Sequence, residues 1–144
     1  MLKTHNALQE SYAERELARL HLLRGVSEAS KQKESQTAIA RDAGISQPEV
    51  HRILRKISDF PKMLERTPRE VILLWVTGRI SHDELMGELL SWPYTFSVDA
   101  EPANPLGQYS SGTWEQVTEA MLRGLLGEED YRRLVERVRP DTAA

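Results

Sequence analysis

Residues 36–57 read QTAIARDAGISQPEVHRILRKI, and this stretch decides the fold. Two short helices that cross closely need a small residue at the crossing, and Ala40 supplies it, with Ile39 and Ala43 facing the core beside it. The sharp turn four residues on calls for positive φ, which Gly44 adopts at no steric cost. Ile45 plugs that turn. Ser46 caps the second helix, and Glu49 three residues later closes a capping box. Val50, Ile53, Leu54 and Ile57 recur at i, i+3, i+4 and i+7, which makes one buried stripe. Gln47, Pro48, His51, Arg52 and Arg55 are left pointing outward.

The order of these features resembles the helix-turn-helix of bacterial transcription regulators of the Lac repressor and lambda repressor/Cro type. The likeness is close over residues 36–57 and extends in outline over residues 6–60. It implies that the second helix enters the major groove with its N-terminal part against base edges. On that reading Gln47 contacts adenine, and Arg52 or Arg55 takes guanine bidentately. Arg55 and Lys56 hold phosphates, Lys31 and Lys33 either join them or stay solvated in the polar connection, and His51 donates to a phosphate or a base. Pro48 stands beside Gln47 in the same first turn. Glu49 is expected to cap rather than read. The partners implied are a double-stranded operator and a second copy of the chain, because isolated units of this type bind weakly and a dimer spans two half-sites. Small two-part regulators of this layout are similar to antitoxins of toxin–antitoxin pairs and to phage or plasmid repressors. In the antitoxin case the acidic rear half masks a basic toxin. The alternative is a protein-interaction module, toxin-neutralising or adaptor, whose helix pair never touches DNA.

Working outward, Leu8, Tyr12, Leu17, Leu20 and Leu23 fall close to one helical face, so a helix is expected over residues 6–24, capped by Asn6 and stopped by Gly25. Residues 26–35 are polar and read as a connection or an exposed helical turn. Pro61 ends the second helix of the pair. Thr67, Pro68 and Glu70 then carry three signs of a helix start, with Thr67 and Glu70 as a capping box. Ser81 and Glu84 form another box, opening a helix through Leu85 and Leu89 that stops before Pro93. Residues 93–112 hold Pro93, Pro102, Pro105, Gly107 and Gly112 and read as a long irregular connection. Helices follow from Thr113 to Gly124 and from Glu128 to Val138, with Pro140 beyond. The segments 75–85 and 121–131 share a layout of helix end, glycine, small cap and acidic first turn, which reads as two helical hairpins. No strand alternation is present. The expected class is all-α, with a DNA-binding domain over 1–62 and an acidic helical dimerisation or partner-binding domain over 63–144.

Of 144 residues, 40% are hydrophobic and 28% charged, an ordinary globular composition. The net charge of −3 divides unevenly. Residues 1–62 carry a surplus of three cations and residues 63–144 a surplus of six anions, so two faces with different partners are expected. No run of apolar residues is long enough to cross a membrane, and the start of the chain lacks the apolar core of a signal peptide. With no cysteine there is no disulfide, thiolate metal site or cysteine nucleophile, which fits a cytoplasmic protein. His5, His21, His51 and His82 are scattered outside any two-histidine metal pattern, and no phosphate loop or nucleophile elbow is present. Neither enzymatic activity, a metal nor a cofactor is therefore expected. Trp92, Tyr94 and Trp114 flank the long connection and are the candidate anchors for a protein partner, with packing in a small helical core as the first reading for Trp92 and Trp114.

Overall fold

The chain is described by a computed structural model over residues 4–96 and 112–138. Among the described residues there are seven α-helices, one short 3-10 turn and no strand. The middle of the expected connection, residues 97–111, lies outside the described residues, and so does Pro140. The helices are α1 (Ala7–Lys31), α2 (Gln36–Ala43), α3 (Gln47–Asp59), α4 (Pro68–Val76), α5 (His82–Leu90), α6 (Thr113–Leu122) and α7 (Glu128–Val138), with a 3-10 turn at Pro61–Leu64. They fall into two compact units. One is Glu14–Arg66, and the other holds the later helices together with the start of α1 up to Ala13.

Asn6 caps α1 as expected, and it does so reciprocally. The Gln9 backbone N–H donates to Asn6 Oδ1 at 2.8 Å, while the Asn6 N–H donates to Gln9 Oε1 at 2.9 Å. Gly25 does not stop the helix. α1 runs on for six more residues, because Val26 is buried beside Leu23 and that burial outweighs the roughly 1 kcal/mol cost of a mid-helix glycine. The stop lies at Lys33, which takes a left-handed φ of 65°. The Lys33 N–H donates to Ser30 O at 2.9 Å and the Glu34 N–H to Ala29 O at 3.1 Å, closing a Schellman turn without glycine. Leu8 also departs from expectation and is 82% exposed. It stands nine residues before the buried Leu17, and at roughly 100° per residue that is about half a turn away.

The core of the Glu14–Arg66 unit is one cluster. Leu23 and Val26 of α1, Ile39 and Ala40 of α2, and Val50 and Ile53 of α3 are buried together, with Ile45, Leu54, Ile57, Met63 and Leu64 packed at the edge. Arg24 Nε donates to Leu64 O at 3.0 Å and fastens the 3-10 turn to α1.

In the other unit α4 packs on α5 and α6, and α7 packs on α5 and α6. The two hairpins, α4–α5 and α6–α7, close with the same hydrogen bonds. Gly78 and Gly124 take φ of 77° and 75°. The N–H of each glycine donates three residues back, to Trp75 O and Met121 O, and the next N–H donates five back, to Leu74 O and Ala120 O. Ser81 and Glu84 form the complete capping box at α5. Thr67 Oγ1 accepts from the Glu70 N–H at 3.3 Å at the start of α4. His5 ties the start of α1 to this unit, its Nε2 donating to the Leu125 carbonyl at 2.7 Å.

Candidate nucleic-acid interface

The bend between α2 and α3 is built locally. Ser35 caps α2, accepting from the Ala38 N–H at 3.1 Å. Gly44 takes φ 71° and ψ 31°, where an L side chain is strained, and the N–H of Ile45 reaches back to Ala40 O at 3.1 Å. Ser46 is extended, and its hydroxyl accepts from the Glu49 N–H at 3.2 Å. Pro48 sits in the first turn of α3, where a missing N–H costs nothing.

α3 is two-sided. Val50 and Ile53 are buried, and Leu54 and Ile57 pack partly against the same cluster. Gln47, Pro48, His51, Arg52, Arg55 and Lys56 are all exposed, so the five outward positions read from the sequence lie on the open side of one helix, with Lys56 beside them. Lys31 and Lys33, at the end of α1, are exposed as well.

One pairing on this face was not foreseen. The Glu49 carboxylate does not serve the cap. Its Oε2 accepts from Arg52, at 2.7 Å from Nη2 and 3.2 Å from Nε. A bidentate contact between two opposite charges is a stronger bond than the single one that the Ser46 N–H offers. Arg52 is therefore presented with its guanidinium oriented, and its side chain is still 68% exposed. Arg41 similarly meets its neighbour Asp42 at 3.1 Å.

The three candidate partner anchors separate. Trp114 is buried, stacked on Tyr131 at 5.7 Å between ring centroids, with the Tyr94 ring edge-on at 5.1 Å. Tyr94 donates its hydroxyl to Leu89 O at 2.6 Å, and burial pushes its pKa well above the ordinary tyrosine value. Trp114 thus packs in the interior of its unit, with Tyr94 half-buried against it. Trp92 is half-buried and lines an open cleft of about 280 Å³ with Leu90, Phe96 and Arg137. Thr95 and Thr113 are clipped together, each N–H donating to the other's hydroxyl at 2.9 and 3.0 Å. A Cβ on Gly112 would run into the backbone of Thr95 and Phe96, so only glycine fits there.

His5 and His82, far apart in sequence, both lie against the Trp75 ring, at 4.7 and 5.7 Å between centroids, and His82 Nε2 stands 2.8 Å from Asp130 Oδ2. Among the described residues no group of three or more His, Asp or Glu side chains is placed to hold a metal ion. Among them, too, no helix is long and apolar enough to cross a membrane. No family model, curated protein or solved structure matches the chain.

Proposed function

We propose that this protein is a sequence-specific DNA-binding transcriptional regulator, a repressor, in which α2, the Gly44 bend and α3 act as a helix-turn-helix. The observation that carries the reading is the two-sidedness of α3. Its apolar stripe is committed to the core, and three cations, a glutamine and a histidine occupy the open side. A helix of this kind fits the major groove, where arginine and glutamine discriminate base pairs and lysine neutralises phosphate. Two copies would read two half-sites, with the acidic helical unit as the dimerisation or partner face. A basic toxin is the partner that its charge favours, and the layout then is that of an antitoxin repressing its own promoter. The protein acts by binding, in the cytoplasm, and is not an enzyme.

The test is a mobility-shift titration on the DNA upstream of the protein's own gene, with wild type, Arg52→Ala and Arg55→Ala. Each lost base contact costs roughly 1–3 kcal/mol of affinity. Wild-type affinity falls steeply with salt as counterions are displaced. Unchanged DNA affinity in both variants, with partner binding intact, assigns the helix pair to protein contact instead.

A further inference from the structure

Phenylalanine is among the residues most often found inside proteins, yet Phe60 is 61% exposed. It is not on a loose segment. Its N–H donates to Lys56 O at 2.9 Å, its carbonyl accepts from the Met63 N–H at 3.1 Å, and the turn that follows is fastened to α1 through Arg24 and Leu64. The ring is therefore held out on a fixed corner at the end of α3. Lys56 lies one helical turn before it and Lys62 two residues after it, both exposed. Over residues 55–66, Arg55, Lys56, Lys62 and Arg66 outnumber Asp59 and Glu65, so the corner is net positive. Two copies meeting here would bring like charges together, whereas a polyanion would be attracted.

The length of α3 says which part of a duplex this corner meets. Its 13 residues span about 20 Å at 1.5 Å per residue. The major groove is about 12 Å wide. A helix that enters N-terminus first, its axis inclined to the groove floor, and rests its first turn on base edges therefore carries its last turn out to the groove wall, level with sugars and phosphates. We propose that Phe60 packs against the deoxyribose faces of duplex DNA at that wall, with Lys56 and Lys62 on the flanking phosphates, and that this contact sets how α3 seats in the groove. The inference rests on the reading of α3 as the DNA-binding helix. A phenyl ring has no hydrogen-bonding group, so the contact adds affinity without reading sequence. It also shields the neighbouring lysine–phosphate contacts from water.

The experiment uses the full chain and a duplex selected by the wild type from a randomised pool, with a scrambled duplex of equal composition beside it. Phe60→Ala is expected to weaken binding to both duplexes by the same factor, about tenfold for partial loss of a buried ring. The preference between the duplexes and the slope of affinity against salt stay as in wild type. Phe60→Trp retains affinity, and Lys62→Ala lowers the salt slope by about one. Arg55→Ala, run in parallel, reduces the preference between duplexes. Wild-type affinity in Phe60→Ala, with the Arg55→Ala effect present, overturns the role of Phe60 alone. A wild-type dimer that Phe60→Ala splits in sedimentation without DNA also overturns it, placing the ring between copies. If the wild type selects no duplex, the DNA reading falls and this contact with it. Matching circular dichroism melts of the variants exclude unfolding as the cause, and Phe60→Leu provides a second substitution if alanine fails to fold.

Discussion

Exchanging glycine for alanine at Gly44 and at Gly25 makes the same chemical change with opposite expected signs. Gly44 sits at φ 71°, where a Cβ costs roughly 1–2 kcal/mol. Alanine also narrows the unfolded ensemble, which offsets about 0.4–1 kcal/mol. The net is a destabilisation of about 1 kcal/mol. Crowding adds nothing, because no atom lies within 4 Å of the Cβ position. Gly25 has equally open surroundings, but it stands inside α1 with ordinary helical backbone. There alanine stabilises by roughly 0.8–1 kcal/mol. The two variants should differ by about 2 kcal/mol, or some 8 °C in melting midpoint at about 4 °C per kcal/mol for a chain of this size. Trp75, Trp92 and Trp114 all lie outside Glu14–Arg66, so tryptophan emission does not report on this unit directly. Far-ultraviolet circular dichroism does, since α1, α2 and α3 hold much of the helix. A Gly44→Ala protein as stable as wild type, or a Gly25→Ala protein less stable, would refute the account of the bend and of the uninterrupted first helix.

Three further outcomes follow from particular side chains. Burial raises the Tyr94 pKa above its unfolded value near 10, so the native state favours the protonated hydroxyl. Its contribution is full below about pH 10 and is lost as pH rises beyond that value. Tyr94→Phe should remove this alkaline loss and cost about 1 kcal/mol at neutral pH through the missing bond to Leu89 O, read from urea titrations followed by tryptophan emission. An identical alkaline slope in both proteins contradicts it. Trp114→Ala should destabilise its unit by about 3–5 kcal/mol in a calorimetric melt, whereas a change under about 1 kcal/mol would mean the ring is not core. Glu49→Gln removes the acceptor that orients Arg52 and costs only about 0.5 kcal/mol of stability, the scale of an exposed intrahelical pair. On DNA the same variant should bind more tightly overall and discriminate less between selected and scrambled duplexes, and unchanged discrimination argues against Arg52 as a reader.

The outward set of α3 was legible because the stripe Val50, Ile53, Leu54 and Ile57 fixes by subtraction which residues face away. Phe60 was not. A lone aromatic before Pro61 reads as core or as the end of a helix, and only its exposure and its two fixed backbone bonds mark it out. Arg52 was placed correctly on the face, yet its pairing with Glu49 was hidden, since the same carboxylate has a backbone N–H within reach in the capping-box pattern. Trp92, Tyr94 and Trp114 are chemically similar aromatics beside one connection, and nothing in their spacing sorts buried Trp114 from half-buried Trp92.

The sequence by itself determined the all-helical class, the caps at Asn6, Ser46, Thr67 and Ser81, and the left-handed turns at Gly44, Gly78 and Gly124. Each of these is settled by backbone torsion and hydrogen bonds reaching no more than five residues along the chain. The tertiary structure alone decided that α1 continues past Gly25, that Leu8 stays in water, and that the start of α1 joins the later helices through His5 and Leu125. Those outcomes depend on which distant apolar surfaces arrive to cover a residue, and burial of that kind outweighs the local preference of about 1 kcal/mol written at any single position.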